Sequence, residues 1–285
     1  MMLPELYIDA RATLGESPAW DAKTQTLYWV DVLECRVHAG ARPIAQLDQR
    51  VGCLAPRKGG GLILAEGRSI RLMEPDMKTV RRLASPSGEA RHNRFNDGKC
   101  DPRGRFLAGT MDIKEKEDNG ALYTLSRHGK IRRLLSRVRI SNGLAWSPDG
   151  RTLYFIDTPT RKVMAFDYDL DTGAILNGRV IIAIDKSFGW PDGMTSDSDG
   201  NLWIAMWGGA RVSQWQPDGT LLAQFGVEAI NVTSCVFGGT NLNELFITTA
   251  LAGTDPAGRR KFPQAGGVFR METHVTGMPT YEFGG

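Results

Sequence analysis

One spacing recurs along this 285-residue chain, and it constrains the fold more than any other feature. Asn96, Asn142 and Asp192 each lie eight residues before a glycine, and each glycine is followed by an apolar, strand-like run. Glu16 lies eight residues before Thr24, where a similar run follows. If these segments are repeats of one structural unit, the four polar residues occupy equivalent positions in that unit.

Runs rich in β-branched and aromatic residues follow turn signals along the chain and predict strands. The main runs are LYWVD, GLILAEG, FLAGTMD, TLYFID, NLWIAMW and ELFITTA. Second runs, such as ALYTLSR, KVMAFDYD and RVSQWQPDG, come after them and predict the next strand of the same unit. No convincing amphipathic helix pattern is present, and we interpret the charged segment 112–119 as a loop.

Aligning the units gives six equivalent positions, 16, 52, 96, 142, 192 and 234, which are separated by 36, 44, 46, 50 and 42 residues. Repeats of this length with about four strands each are typical of β-propellers. The sequence therefore predicts an all-β fold, a six-bladed β-propeller with four-stranded blades around a central channel. We expect residues 1–285 to form a single domain, with residues 6–8 pairing with C-terminal strands to close the ring.

The innermost strand of each propeller blade lines the channel, so residues at one height form a ring. The predicted ring is Glu16, Gly52, Asn96, Asn142, Asp192 and Ser234. Asp and Asn before Gly are also common turn residues, and it is their shared register that favours a site. Carboxylate and amide oxygens are the ligands of hard cations, so the ring predicts one divalent metal ion. Oxygen ligation favours Ca²⁺, Mg²⁺ or Mn²⁺, while Zn²⁺ and Fe²⁺ stay open because availability often decides occupancy.

A cationic side chain accompanies the predicted metal position. Arg94 lies two residues before Asn96, so the alternation of side chains along a strand places both on the same face. Trp190 and Trp207 flank the predicted mouth of the channel and are candidates for a sugar-binding wall. Trp203 lies inside a strand, where it fits the core as well as the wall.

The remaining composition argues against several other classes of protein. The net charge of +3 is small, and no basic stripe interleaved with aromatics suggests a nucleic-acid partner. No apolar stretch is long enough for a membrane span, and the N-terminus does not resemble a signal peptide, so we expect a cytoplasmic protein. The four cysteines are far apart and form no metal or redox motif. A monomer or weak dimer is expected because no exposed apolar stripe is evident.

No nucleophilic catalytic group stands out in the sequence. The four histidines, His38, His92, His128 and His274, fall outside the predicted ring and are expected on loops or the surface.

Several segments together resemble one protein family. LGESPAWD, RFNDGKCDPRGRFLAGTM, ISNGLAWSPDG, FDYDLDTG, PDGM, DGNLWIAMWGG and FGG are each similar to segments of the SMP-30/gluconolactonase/LRE family. The resemblance covers nearly the whole chain and implies a six-bladed propeller that binds a single divalent cation; many members hydrolyse sugar lactones. It implies that Glu16, Asn142 and Asp192 are metal ligands and that Arg94 and Asn96 contact the substrate. It also implies a role for Asp192 as general base.

The chain departs from the family in one segment. The lid segment DIKEKEDNG is shorter than in the regucalcin branch, and Lys114 stands where that branch places a glutamate that contacts substrate. The departure affects the expected substrate preference rather than the metal site.

These observations favour a divalent-metal-dependent lactonase. The predicted reaction is hydrolysis of an aldonolactone (glucono-, galactono-, xylono- or arabinonolactone) to the aldonic acid by a metal-activated water. One alternative is a metal-dependent aryl-ester or phosphotriester hydrolase, and another is a non-catalytic calcium-binding propeller. The pair of Arg94 and Asn96 favours an enzyme, because a metal buffer has no need of a substrate-orienting pair beside the ion.

Overall fold

The inner strands of every repeat are buried on both faces, and their apolar composition follows from that position. A computed structural model describes residues 3–285 of the chain. In it, all five residues of Leu62–Glu66 are buried, whereas Ile175–Ala183 is mostly exposed. Strands buried on both faces are near-continuous apolar runs, and an outer strand tolerates polar residues.

Twenty-four strands lie within the described residues. In chain order they are β1 (Glu5–Ile8), β2 (Gly15–Asp21), β3 (Thr26–Asp31), β4 (Arg36–Ala39), β5 (Arg42–Gln46), β6 (Val51–Pro56), β7 (Leu62–Glu66), β8 (Ser69–Met73), β9 (Val80–Ala84), β10 (Asn93–Cys100), β11 (Phe106–Asp112), β12 (Gly120–Leu125), β13 (Ile131–Val138), β14 (Ser141–Trp146), β15 (Thr152–Asp157), β16 (Lys162–Tyr168), β17 (Ile175–Ala183), β18 (Trp190–Ser196), β19 (Leu202–Trp207), β20 (Arg211–Trp215), β21 (Leu221–Gly226), β22 (Asn231–Gly238), β23 (Glu244–Ala250) and β24 (Val268–Glu272). Two 3₁₀ turns, Thr158–Thr160 and Lys186–Phe188, and one short helix, α1 (Pro256–Lys261), lie in the connections.

The strands form six four-stranded antiparallel sheets, which are the blades of a six-bladed β-propeller. Blades 1 to 5 are β2–β5, β6–β9, β10–β13, β14–β17 and β18–β21, and blade 6 combines β22–β24 with β1. The innermost strands β2, β6, β10, β14, β18 and β22 each contact the next in a closed ring. The pairing of β1 with β24 confirms the expected closure, and it joins both ends of the chain in one sheet.

A bulge interrupts the pairing of each innermost strand near the same height. In blade 6 the bulged residue is Thr233, between the pairs Val232–Thr249 and Ser234–Thr248. Thr233 therefore corresponds to Gly52, which is bulged in the same way in blade 2. The predicted ring position at Ser234 was one residue too late, because blade 6 has five paired residues between this bulge and the turn, whereas blade 2 has four.

Three smaller predictions can also be compared with the structure. His92, His128 and His274 are exposed as expected, but His38 lies in β4, is buried and stacks on Trp29 with ring centroids 3.9 Å apart. The prediction for His38 was wrong because β4 is an interior strand of its blade. Apart from Asp112, which ends β11, the segment 112–119 is a loop as predicted, and all four cysteines are free thiols. No helix within residues 3–285 is long and apolar enough to cross a membrane.

The C-terminal residues after β24 form a strap across the end of the channel where the innermost strands terminate. Met278 donates its backbone N–H to Ser196 of blade 5, and the Thr280 hydroxyl accepts from Trp20 of blade 1. Phe283 exchanges backbone hydrogen bonds with Pro56 and Lys58 of blade 2. The strap therefore ties non-adjacent parts of the ring together.

We expect Phe283→Ala to destabilise the protein by about 3 kcal/mol or more, the usual cost of removing a buried Phe. The Phe283 side chain is 1% exposed and packs into the core between blades 2 and 3. The measurement is urea unfolding of the metal-free protein, with Leu176→Ala as control because Leu176 is 65% exposed. Equal stability of the two variants would contradict a stabilising strap.

Candidate functional site

A cavity of about 470 Å³, lined by both charged and apolar residues, opens at the face of the propeller where the innermost strands begin. Its lining residues are Leu14, Glu16, Arg94, Asn96, Met111, Glu115, Arg139, Ile140, Asn142, Thr158, Pro159, Trp190, Asp192 and Trp207. The seven residues that the sequence predicted as metal ligands or substrate contacts all line this cavity: Glu16, Arg94, Asn96, Asn142, Trp190, Asp192 and Trp207. Four of them lie in or directly before the bulge of their innermost strand, Asn96 and Asp192 in it and Glu16 and Asn142 just before it, which brings distant segments to one height.

Two carboxyl groups that affect each other electrostatically, those of Glu16 and Asp192, line the cavity. Desolvation, with the nearby Asp97 carboxylate as a second cause, raises the pKa of Glu16 to about 8. Burial and then the charge of Glu16 raise the pKa of Asp192 well above its usual range. The Glu16 carboxylate accepts one hydrogen bond, from the Ser17 N–H at 2.9 Å. Raised pKa values favour the protonated form of both carboxyl groups in the metal-free protein, whereas a bound cation would favour the ionised form.

A chain of side-chain hydrogen bonds connects blades 3, 4 and 5 around this centre. Arg94 Nη1 donates to Asn96 Oδ1 at 2.7 Å, and Asn96 Nδ2 donates to Asn142 Oδ1 at 3.1 Å. Asn142 Nδ2 donates to Thr158 Oγ1 at 2.8 Å, and Thr158 Oγ1 donates to the Pro191 carbonyl at 2.8 Å. Each side chain in this series donates to the next one. The partners of Asn96 and Asn142 therefore determine which end of each amide is the oxygen.

Thr158 is a site residue that sequence reasoning missed. It begins a 3₁₀ turn directly after β15, and a Thr-Pro pair at a strand end is easily interpreted as an ordinary turn. Its hydroxyl is the only described acceptor for Asn142 Nδ2, which turns Asn142 Oδ1 away from the turn. One sequence feature could have indicated this residue: a hydroxyl side chain directly after β15, the strand that pairs with β14.

We expect Thr158→Val to weaken divalent-metal binding by about 10- to 100-fold, as is usual when a partner that orients a ligand is lost. Valine keeps the shape but leaves Asn142 Nδ2 without an acceptor and the Pro191 carbonyl without a donor. The measurement is calorimetric titration of Mn²⁺ into metal-free protein. Thr160→Val is the matched control, because Thr160 lies exposed in the same turn and bonds only the Asp157 carbonyl. Unchanged affinity in Thr158→Val would exclude this orienting role.

Arg94 lies buried beside the two carboxylates, at 7% exposure. Its Nη1 also donates to the Phe95 carbonyl at 2.9 Å, whereas its Nε has no hydrogen-bond partner within the described residues. Burial is the main cause that lowers the pKa of Arg94, to about 10, so the guanidinium remains charged at neutral pH. The site thus holds a permanent cation next to the two carboxyl groups.

A second charged pair lies deeper in the channel. Lys99 reaches from blade 3 to blade 5, where its Nζ donates to the Met194 carbonyl at 2.6 Å. Asp97 is 3% exposed; its Oδ1 accepts from the Gly98 N–H, and its Oδ2 has no partner among residues 3–285. Burial raises the pKa of Asp97 and lowers the pKa of Lys99. The sequence pattern did not single out either residue, because Asn-Asp-Gly has the composition of a simple turn.

The wall of the cavity combines aromatic residues with one lid residue. Trp190 and Trp207 are directly paired across β18 and β19, and both line the cavity. Trp203 is 2% exposed and belongs to the core between blades 5 and 6. In the lid, Glu115 reaches the cavity, whereas Lys114 does not line it. The lid residue that lines the cavity is therefore a carboxylate, that of Glu115, although the sequence placed Lys114 at the position of the substrate-contacting glutamate.

The donor set fits a hard divalent cation. Within residues 3–285, no three His, Cys, Asp or Glu side chains lie close enough together to hold a metal ion. The oxygens available at the cavity base are the carboxylates of Glu16 and Asp192 and the amide oxygen of Asn142. All-oxygen sets of this kind suit Ca²⁺, Mg²⁺ or Mn²⁺. A bound divalent cation would also offset the charge that raises the pKa of both carboxylates.

Comparisons with known proteins agree with this architecture. The family model described as SMP-30/Gluconolactonase/LRE-like region matches residues 14–251. Regucalcin of Danio rerio is 38% identical over 99% of this chain and 98% of its own length. The solved structure of a luciferin-regenerating enzyme is 32% identical with a TM-score of 0.91, covering 99% of both chains. A calcium-binding regucalcin from Agrobacterium tumefaciens is 27% identical with a TM-score of 0.93, covering 99% of this chain and 97% of its own.

Proposed function

The chain belongs to the SMP-30/gluconolactonase/LRE-like family, and we propose that it is a divalent-metal-dependent lactonase that hydrolyses a sugar lactone to its aldonic acid. One observation carries the proposal: Glu16, Asn142 and Asp192 converge with the hydrogen-bonded pair of Arg94 and Asn96 at one cavity. The first three residues form a cation site, and the pair beside them can hold a polar substrate.

A lactone is a weak electrophile and water is a weak nucleophile at neutral pH. A divalent cation, when bound, polarises the carbonyl of an ester and lowers the pKa of a water molecule. Glu16, Asn142 and Asp192 would hold this ion as three protein ligands, which leaves positions open for water and substrate. Calcium is a candidate because the Agrobacterium relative is described as calcium-binding, and Zn²⁺, Mn²⁺, Mg²⁺ and Fe²⁺ remain candidates on donor chemistry.

The chain's own residues have distinct roles in this proposal. Asp192 accepts the proton of the attacking water, which requires a separation of about 3 Å in the substrate complex. Arg94 donates hydrogen bonds to the oxygen on which negative charge develops. Asn96 is held between Arg94 and Asn142, so it can orient a substrate hydroxyl next to the carbonyl. Trp190 and Trp207 contact the substrate at the wall and exclude water from one side.

The apolar part of the cavity favours one second candidate. Leu14, Met111, Ile140 and Pro159 join the two tryptophans around the polar base. A rim of this composition also suits an aryl ester or a phosphotriester, whose carbonyl or phosphoryl oxygen would take the same place. A preference for polyol lactones over aryl esters separates the two candidates.

The test is lactone hydrolysis followed by pH-stat on metal-stripped protein. Ca²⁺, Mg²⁺, Mn²⁺, Zn²⁺ and Fe²⁺ are added back in turn against glucono-, galactono-, xylono- and arabinonolactone, with an aryl ester and a phosphotriester as comparison substrates. Metal-dependent turnover of one or two lactones supports the proposal and identifies both the ion and the substrate. Metal binding without turnover of any substrate would favour a calcium-binding propeller instead.

A further inference from the structure

Trp190 is unusual among the large apolar side chains of the site because it is 41% exposed. It is the first residue of β18, two residues before Asp192, and it pairs with Trp207 across the blade. Directly opposed residues on antiparallel strands project to the same face, so the two indoles form one wall. An exposed indole at a cavity mouth can adopt several orientations unless a neighbour restrains it.

Arg161 supplies such a restraint from outside the cavity. Its guanidinium carbon lies 3.5 Å from the centroid of the Trp190 ring, and its Nη1 donates to the carbonyl of Gly189. A guanidinium at this distance over an indole is attracted by the electron-rich face of the ring. Arg161 thus holds both the Trp190 side chain and the backbone that precedes it.

The backbone of Arg161 is itself held in place. Arg161 ends the 3₁₀ turn that starts at Thr158, with a φ of 54°, and its N–H donates to the Thr158 carbonyl at 3.0 Å. Its own carbonyl accepts from the Ile184 N–H at 2.8 Å. A side chain on so constrained a backbone has few positions available to it, so the guanidinium is directed at one face of Trp190.

We propose that Arg161 is a positioning residue that holds Trp190 as a rigid stacking surface for the carbon–hydrogen face of the substrate ring. This inference rests on the proposed lactonase function. Arg161 covers one face of the indole and does not line the cavity, so it leaves the remaining surface of Trp190 for substrate. A cyclic polyol presents an apolar ring face and polar edges, and that face matches an indole while the edges match Arg94 and Asn96.

The substrate class follows from this arrangement. The substrate ring must lie flat against Trp190 while the substrate carbonyl reaches the base of the cavity. The site should therefore prefer cyclic lactones to the corresponding open-chain esters. Because Arg161 acts on substrate binding and does not reach the reacting atoms, its loss should change KM rather than kcat.

The experiment compares Arg161→Met and Arg161→Lys in wild-type and Trp190→Phe backgrounds, using the lactone that the wild type hydrolyses fastest. We expect Arg161→Met to raise KM about 5- to 10-fold with kcat within about twofold, as expected for a lost contact through a stacked cation. Arg161→Lys should recover part of the loss, and Arg161→Met should add less than twofold to Trp190→Phe. Arg179→Met is the matched control. Arg179 lies on the outer strand of the same blade, β17, and forms an exposed ion pair with Asp167 of β16.

An unchanged KM in Arg161→Met, or full additivity with Trp190→Phe, would overturn the inference. A second measurement is independent of turnover: acrylamide quenching of the Trp190 fluorescence, obtained as the difference from Trp190→Phe. Restraint by Arg161 predicts stronger quenching in Arg161→Met than in wild type, and equal quenching excludes it. Absence of lactone turnover in the wild type contradicts the proposed function, while the quenching result still decides whether Arg161 positions Trp190.

Discussion

Asp192→Asn is expected to abolish metal-dependent lactone hydrolysis, with kcat/KM falling by at least about a thousandfold, because one residue is both ligand and base. Asparagine keeps the size of the side chain but cannot accept the proton of the attacking water. It also removes one of two negative charges from the cation site, so the affinity for Mn²⁺ should fall at the same time. Turnover by pH-stat and Mn²⁺ titration by calorimetry measure the two effects separately.

The same variant should fold normally. Burial and the charge of Glu16 both raise the pKa of Asp192, so the metal-free protein favours the neutral form of this carboxyl group. Replacing it with a neutral amide of equal size should leave the stability unchanged or slightly increased. Asp199→Asn is the control, because Asp199 is exposed on the turn after β18. Near-native turnover in Asp192→Asn would exclude Asp192 as base and ligand.

The convergence of the candidate site residues was predictable because equivalent residues of each repeat occupy equivalent positions in each blade. Asn96, Asn142 and Asp192 share one offset from the following turn, and strands that begin at one height bring equal offsets together at the channel. The same reasoning failed by one residue in blade 6, where five paired residues rather than the four of blade 2 separate the turn from the bulge at Thr233. Register counted from a turn is therefore accurate only where the number of paired residues between turn and bulge is constant.

Residues outside the repeated offset were not predictable from it. Thr158 reaches the site from the end of a second strand, so its part in orienting Asn142 depends on pairing between strands. Lys99 crosses the channel to Met194, a contact between residues 95 positions apart that no local pattern contains. Glu115 reaches the cavity from a lid whose conformation is set by its own turn, with a φ of 59° at that residue.

Two of these missed residues have one feature in common: Thr158 and Lys99 each form a hydrogen bond that joins two blades. The repeat determines which side chains of each blade face the channel. The contacts between blades determine how these side chains are oriented. The chain of bonds from Arg94 to the carbonyl of Pro191 crosses three blades in this way. Which residues reach the cavity was thus open to sequence reasoning, and how these residues are oriented required the structure.

Arg94→Met should separate catalysis from metal binding. We expect kcat/KM to fall by about 100- to 1,000-fold, the usual effect of removing a donor that stabilises a developing oxyanion. The affinity for Mn²⁺ should be unchanged or tighter, because the lost guanidinium is a positive charge beside a cation site. The measurement pairs pH-stat kinetics with calorimetric titration of the same metal-free preparation.

Arg94→Lys distinguishes charge from geometry at this position. A lysine retains the positive charge, but it lacks the planar fork that now bonds Asn96 Oδ1 and the Phe95 carbonyl and leaves Nε free. Activity should therefore recover only in part, with the remaining loss in kcat. Full recovery would mean that charge alone is needed, and loss of metal affinity in both variants would assign Arg94 to the scaffold of the cation site. Retained metal binding with lost turnover is the result that would assign Arg94 to contact with the substrate. Thr158→Val is expected to give a different result, because that variant should lose metal affinity.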